Sequence, residues 1–171
     1  MSDNPIKDML FERLNTATAQ HLVSTYDYAG LVRYVVPHCI SKSQGMVTYE
    51  EAAVIISTGI LHYMLTVSAT PSQRKITYDG MDVDIVLPNV RQLEREPSLA
   101  IIIQISHNCD TAERRLNEMA KIQPVRQNIW SLTPYDCYYS ILDGSPSLSD
   151  LLQRMIEFSR AHNQSKLGLL G

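Results

Sequence analysis

The segment Ile76–Asn89, with the sequence ITYDGMDVDIVLPN, predicts a β-hairpin at the centre of the fold. Asp79-Gly80 is a preferred pair for a two-residue type I′ turn, because both central residues of that turn need positive φ. The runs on either side are rich in β-branched and aromatic residues, as strands are. Asp82 and Asp84 lie inside the second run, where burial of an unpaired carboxylate costs free energy. The hairpin therefore raises the question of what these two acids contact.

The segments next to the hairpin predict a helix before it and a buried strand after it. Thr48 and Glu51 form a capping-box pattern, which begins a helix that should run to about Val67. Apolar residues surround this helix on nearly all sides, which indicates burial under a sheet or in a dimer interface. The run Leu99–Ser106 is continuously apolar, as expected for a central strand with both faces covered.

The rest of the chain predicts more helices and shorter strands. Asp110 to Glu113 resembles an N-cap signature for a helix that ends near Gln123, and Asn128–Leu132 is a short strand. The segment Asp136–Leu142 predicts a further strand, and Ser147 should cap a last helix. Near the N-terminus, Ile6–Ser24 has helical spacing of its apolar residues. Leu31–Ile40 is ambiguous between helix and strand, and Pro37 should end it.

These elements predict one α/β (α+β) domain over residues 1–171. We expect a mixed sheet of about four to five strands flanked by helices. Residues 1–47 form an N-terminal helical addition, residues 48–142 form the core and residues 147–161 form a C-terminal helix.

The composition indicates a globular protein without a strongly basic surface. Apolar residues make up 44% and charged residues 19%, with a formal net charge of −3. High-affinity nonspecific nucleic-acid binders usually have a basic pI, whereas this pI is about 5.9. The 3 cysteines are far apart and include no CxxC pair, which argues against a disulfide framework and a zinc site. Polar residues interrupt the most apolar run, Ala52–Val67, and the N-terminus lacks a signal-peptide pattern, so we expect a cytoplasmic protein with no membrane partner.

With its acidic hairpin and its strand LAIIIQIS, the predicted order of elements resembles the PD-(D/E)XK, or restriction-endonuclease-like, superfamily. The resemblance covers about Thr48 to Leu132 and implies a core of helix, hairpin, strand, helix and strand. In that superfamily an Asp on the second hairpin strand and a Glu-x-Lys on the next strand support Mg²⁺-assisted phosphodiester hydrolysis. We expect a small archaeal family within it.

The resemblance assigns roles to a few positions of this chain. Asp84 matches the strand Asp, while Gln104 stands at the Glu position and Ser106 at the Lys position. If the site is active, Asp84 binds Mg²⁺, Gln104 supplies a weak carbonyl ligand and Ser106 orients water. Asp82 is a second candidate metal ligand, and Glu51 is the nearest helix acid that could complete the set. Gln is neutral and Ser lacks an ammonium, so the resemblance implies a degenerate, more often inactive site.

Strand alternation also predicts where these side chains lie. Asp82 and Asp84 should share one face of their strand, opposite Val83, Ile85 and Leu87. In the central strand, Gln104 and Ser106 should share a face with Ala100 and Ile102. Two adjacent strands would then bring the four polar residues together.

Simpler structural roles compete with these assignments. Asp82 lies beside the turn, where a solvated carboxylate needs no functional role. Asp84 is explained equally well by pairing with Arg74 or Arg91. Gln104 and Ser106 are explained as the polar end of a buried strand.

Three classes of function follow from the sequence. The first is a noncatalytic or weakly active nuclease-like component of nucleic-acid metabolism, with Mg²⁺ as the cofactor and a phosphodiester as the substrate if it is an enzyme. The second is a noncatalytic homodimer or scaffold with a protein partner, built on the apolar helices. The third is a nucleotidyltransferase-like protein, because its hairpin contains Asp-x-Asp, although the expected Gly-Ser turn upstream is missing.

Overall fold

The computed structural model describes residues 3–133 and 148–168. It contains a four-stranded mixed sheet with the strand order β1-β2-β3-β4. The strands are β1 Gln73–Tyr78, β2 Met81–Leu87, β3 Ile101–Ile105 and β4 Ile129–Leu132. The pairs β1–β2 and β2–β3 are antiparallel, whereas β3–β4 is parallel. The expected α/β fold with a mixed sheet is confirmed.

Helices pack on both faces of the sheet, and several of them precede it in the chain. The helices are α1 Pro5–Leu14, α2 Ala17–Ser24, α3 Tyr28–Ser43, α4 Tyr49–Val67, α5 Val90–Arg95, α6 Cys109–Met119 and α7 Leu148–Gly168. The helix α6 links the parallel strands β3 and β4, as a parallel connection requires. The predicted strand at 136–142 and the predicted cap Ser147 lie outside the described residues.

The hairpin turn forms as the sequence predicts. Asp79 and Gly80 have φ values of 51° and 75°, both positive, as in a type I′ turn. The turn joins Tyr78 to its register partner Met81. A two-residue turn fixes the register of the strands, and therefore determines which residue of β1 lies opposite each residue of β2.

The sheet separates two hydrophobic cores. On one side, α1, α3, α4 and α7 pack against Ile85, Leu87 and the odd-numbered residues of β3. On the other side, Val83 and Val86 of β2 pack with Ile102 of β3 and with Met119 of α6. All five residues of β3 are buried, so the predicted central strand is confirmed.

The helix α4 is buried within the chain. The predicted capping box is present, since Glu51 N donates to Thr48 Oγ1 over 3.2 Å and Thr48 N donates to Glu51 Oε2 over 3.1 Å. Eight residues of α4 are buried against the helical layer and the sheet: Ala52, Ala53, Ile56, Ser57, Ile60, Leu61, Met64 and Leu65. The apolar circumference of α4 is therefore explained by the fold, and a homodimer stays a prediction.

One polar group inside α4 should lower stability. Ser57 is fully buried, and its hydroxyl has no hydrogen-bond partner among the described residues. An unsatisfied buried hydroxyl costs about 1 to 3 kcal/mol. We expect Ser57→Ala to raise the free energy of unfolding by about 1 kcal/mol in urea denaturation. The exposed Ser24→Ala is the control, and equal stability of the Ser57 variant and the wild type would contradict the prediction.

Three local predictions are corrected by the structure. The segment Leu31–Ile40 lies within α3, and Pro37 does not end that helix. Proline has no N–H to donate to the carbonyl one turn earlier in the helix. Because Pro37 is exposed, water can donate to that carbonyl instead. The predicted helix Ile6–Ser24 divides into two, because Thr16 caps α2. The N-cap of α6 is Asn108, whose side chain accepts from Thr111 N over 2.9 Å.

Candidate functional site

The regular pairing of β1 and β2 is interrupted at one pair of facing residues, and the side chains of both strands switch faces of the sheet there. Lys75 has a φ of 50°, which is uncommon for a residue with a side chain. Arg74 pairs with Ile85 and Ile76 pairs with Val83, but the pair between them, Lys75 with Asp84, is missing from the ladder. Both strands are therefore distorted at Lys75 and Asp84.

The distortion corrects the predicted alternation of β2. Ile85 and Leu87 pack in the core beneath the helical layer, as one face predicts. Val83 packs in the opposite core with Val86, so the prediction that it shares a face with Ile85 is wrong. The physical reason is the face change at Asp84, which breaks the period of two.

Gln104 occupies the space between β2 and β3 where their regular pairing ends. The ladder covers Leu87 to Ile85 on β2 and does not continue to Asp84. There, Asp84 N donates to Gln104 Oε1 over 3.1 Å, and Gln104 Nε2 donates to Asp82 O over 2.8 Å. The carboxamide thus replaces a peptide group of the missing ladder. Gln104 Nε2 also contacts Met119 Sδ at 3.1 Å, and the residue is 0% exposed.

The Asp84 carboxylate makes the corresponding contact from β2 to β3. We call this place, where side chains of Asp84 and Gln104 replace the ladder between the two strands, the junction. Ile105 N donates to Asp84 Oδ2 over 2.9 Å, so each strand is satisfied by a side chain of its neighbour. The sequence-predicted neighbours Asp84 and Gln104 are therefore brought together. Their contact runs through the Asp84 backbone, and the Asp84 side chain lines a cavity on the helical side of the sheet.

This cavity has a volume of about 240 Å³ and lies between α1, α4 and the hairpin. Its charged lining residues are Lys7, Arg74, Lys75 and Asp84, and the other lining residues are Leu10, Phe11, Val54, Ile55, Thr58, Gly59 and Ile105. One carboxylate therefore shares the cavity with three cations. Arg74 was predicted as a neighbour of Asp84, whereas Lys7 and Lys75 were not. The adjacent Arg74-Lys75 pair in a strand was the signal that could have indicated Lys75.

The Asp84 carboxyl group is partly buried. Burial raises the pKa of the carboxyl group, and the hydrogen bond from Ile105 and the charges of Arg115 and Lys75 oppose this effect in part. The described residues form no salt bridge to Asp84. The predicted alternative, an ion pair with Arg74 or Arg91, is therefore not formed in this part of the chain.

We expect Asp84→Asn to stabilise the protein at neutral pH by about 1 kcal/mol, because Asn keeps the acceptor for Ile105 N without a buried charge. The folded-state pKa of Asp84 is raised above its ordinary value of 3.8. The stability that protonated Asp84 contributes is therefore fully present below that value and is lost as pH rises through the folded pKa. Urea denaturation of the wild type and the variant, from below pH 3.8 to neutral pH, should show a difference in the free energy of unfolding that grows with pH. An Asp84→Asn variant that is less stable at every pH would contradict this, and the exposed Asp82→Asn is the control.

The other predicted site residues lie outside this cavity lining. Asp82 is exposed, and its Oδ1 accepts from Thr77 Oγ1 over 2.9 Å. Ser106 is buried at the end of β3, where its N donates to Leu132 O over 2.8 Å, toward β4 and away from β2. Glu51 accepts in the capping box of α4. The structure thus gives each of these residues a local structural contact.

Arg115 of α6 also has a structural contact with β2. Its Nη2 donates to Asp82 O over 2.7 Å, and its Nη1 forms an ion pair with Glu118 Oε2 at 3.2 Å. Asp82 O therefore accepts from both Gln104 and Arg115. These bonds hold α6 against the part of β2 that has separated from β3.

The side chains around Asp84 do not fit the Mg²⁺ that the resemblance implies. Hard divalent cations need several oxygen ligands, preferably anionic ones. Both ends of the Gln104 carboxamide are engaged with β2, and Asp84 is accompanied by three cations. Among the described residues, no group of three or more His, Cys, Asp or Glu side chains could hold a metal ion.

Comparisons with known proteins give no relative for this chain, which matches no protein-family model, no curated protein and no solved structure. In the described residues, no helix is long and apolar enough to cross a membrane.

Proposed function

We propose that this protein is a noncatalytic member of the restriction-endonuclease-like group that acts as a binding component in nucleic-acid metabolism. The arrangement of α4, the hairpin β1–β2, the strand β3, the helix α6 and the parallel strand β4 supports this proposal. It has the order of elements that the resemblance implies. Asp84 lies on the second hairpin strand, at the position that the resemblance assigns to the metal-binding Asp.

The observation that carries the noncatalytic part is the location of Gln104. Its carboxamide bonds to Asp84 N and Asp82 O, and it is fully buried between β2 and β3. A side chain that replaces a peptide group in the sheet is not free to bind a metal ion. Ser106 stands at the Lys position and offers no ammonium to position water. The junction therefore supports a structural use of the positions that carry catalysis in the superfamily.

The proposal is tested by binding and cleavage assays on the same preparation. Labelled single-stranded DNA, double-stranded DNA and RNA would be titrated by fluorescence anisotropy at about 50 mM salt, where electrostatic contacts are strong. We expect saturable binding of at least one of them with a dissociation constant near or below about 10 μM, and no cleavage with Mg²⁺ or Mn²⁺.

Two outcomes would contradict the proposal separately. Metal-dependent cleavage that is lost in Asp84→Ala, but retained in the exposed control Glu113→Ala, would contradict the noncatalytic part. Absence of binding to all three nucleic acids would contradict the role in nucleic-acid metabolism. In that case the interaction-protein alternative would be tested by the concentration dependence of the molecular mass.

A further inference from the structure

We propose that the cavity between α1, α4 and the hairpin binds a single phosphate group, held by Lys7, Arg74 and Lys75. This inference rests on the proposed function and deepens it, because it names the ligand group and the place where it binds. The site uses cations from α1 and β1, and so differs from a metal site built from acids on β2 and β3.

The charge of the cavity lining is the first argument. Its three cations face one carboxylate, and none of the three forms a salt bridge within residues 3–133 and 148–168. Lys7 and Lys75 lie close together: their mutual repulsion is the largest cause that lowers the pKa of Lys7, followed by partial burial. Three positive charges that share one carboxylate repel one another, and a bound anion reduces that repulsion.

The backbone of β1 is the second argument. Successive residues of a strand normally point to opposite faces, so Arg74 and Lys75 should be separated by the sheet. Both nevertheless line the same cavity, and Lys75 has a φ of 50°. This conformation costs about 1 kcal/mol for a residue with a side chain. Backbone strain of this kind occurs often at ligand-binding sites, and here it places two cations side by side.

The size and wall of the cavity limit the ligand. Pockets for drug-sized molecules have volumes of about 300 to 1,000 Å³, and this cavity has about 240 Å³. It therefore accommodates a small group such as a phosphate, not a nucleic-acid duplex. Thr58 adds a hydroxyl from α4, and Phe11 of α1 is 50% exposed at the edge, where a base or sugar attached to the phosphate could contact it. A terminal phosphate of an oligonucleotide and the phosphate of a free nucleotide share this chemistry.

Asp84 supplies the only carboxylate among the described residues that line this cavity. A carboxylate repels a bound phosphate, whereas a metal ion needs it as a ligand. A phosphate site and a metal site therefore predict opposite effects of Asp84→Asn on ligand affinity, since the substitution removes negative charge from the lining.

The test is titration of inorganic phosphate and of a 5′-phosphorylated oligonucleotide into the full chain by calorimetry. The double variant Lys7→Gln/Lys75→Gln removes two cations of the site. The matched control Lys42→Gln/Lys121→Gln removes two cations that lie outside the cavity lining. Each charge-assisted bond to phosphate corresponds to about a tenfold change in affinity. We expect about 100-fold weaker phosphate binding for the first variant, less than about twofold change for the control, and equal or tighter binding for Asp84→Asn.

The outcomes separate this inference from the proposed function. Equal phosphate affinity in both double variants would overturn the phosphate site, even if the protein binds nucleic acid. Loss of phosphate binding in Asp84→Asn would also overturn it. If the protein binds phosphate but no oligonucleotide, the phosphate site is supported and the proposed function is contradicted. Stronger binding of a 5′-phosphorylated oligonucleotide than of its unphosphorylated form identifies the strand end as the source, whereas equal affinity of phosphate and a nucleoside monophosphate points to free small molecules.

Discussion

Gln104→Glu should lower the free energy of unfolding by about 3 to 5 kcal/mol at neutral pH. The substitution changes one amide nitrogen to an oxygen, and its volume is nearly unchanged. However, Gln104 Nε2 donates to Asp82 O over 2.8 Å, and a carboxylate would place two acceptors against each other there. The new charge would be fully buried, and the Arg115 guanidinium, which donates to the same Asp82 O, is already paired with Glu118. An uncompensated buried charge is among the most destabilising changes known for a point substitution.

The pH dependence of this variant provides a second measurement. Burial would raise the folded-state pKa of the new glutamate, so its neutral form should fold with less penalty. The stability difference from the wild type should therefore narrow as pH falls from about 7 toward about 4, near the ordinary pKa of Glu. Urea denaturation across this range would measure the difference. Gln127→Glu, at an exposed position, is the matched control and should change stability by less than about 0.5 kcal/mol.

A stable Gln104→Glu protein that binds Mg²⁺ would contradict this account of the junction. The resemblance to the restriction-endonuclease-like group gives the position of Gln104 to a metal-binding Glu. The observed packing instead needs an amide that donates to one strand atom and accepts from another. An acid at this position and the present junction between β2 and β3 therefore exclude each other. An acid introduced at this position should disrupt the junction and should not create a catalytic site.

The hairpin and the sheet were predictable because their signals are local. Asp79-Gly80 fixes the turn, and the continuous apolar run around Ile103 identifies the central strand. The capping box of Thr48 and Glu51 marks the beginning of α4. Each of these features depends on residues close together in the chain, and the structure confirms all three.

The face change at Lys75 and Asp84 was not predictable from the alternation of side chains along a strand. Val83 and Ile85 of β2 pack in opposite cores although the sequence there alternates regularly, and the positive φ of Lys75 lies on β1, opposite Asp84. No glycine or proline marks this position. The conformation is determined by tertiary contacts, in particular by the hydrogen bonds between Asp84, Gln104 and Ile105.

The candidate site was predictable only in part for the same reason. Asp84 and Gln104 were expected to lie together, and they do, but the sequence could not show that the Gln104 carboxamide bonds to the backbone. Lys7 is separated from Lys75 by most of the helical layer in sequence, so no local pattern indicates that both line one cavity. Such clusters depend on how α1 packs over the sheet.

That packing depends on a close contact between Leu10 of α1 and Gly59 of α4. Both residues line the cavity, and a side-chain carbon added to Gly59 would overlap Leu10 Cδ2. Leu10 is 1% exposed, so Leu10→Ala should cost about 3 kcal/mol through lost burial and the space left behind. Gly59→Leu should cost about 2 kcal/mol, because it overfills the same contact, although glycine is itself an unfavourable helix residue.

The double variant Leu10→Ala/Gly59→Leu moves the leucine from one helix to the other and should recover much of this loss. Independent effects would add to about 5 kcal/mol, whereas we expect a total near or below about 3 kcal/mol, since the new side chain fills the space that Leu10 leaves. Urea denaturation of the four proteins of this cycle gives the coupling energy. Leu61→Ala, a fully buried truncation at a residue of α4 that does not line the cavity, combined with Gly59→Leu, is the control pair and should show no such recovery. Additive effects in the Leu10 cycle would mean that α1 does not rest on Gly59, and the wall that holds Lys7 at the cavity would need another explanation.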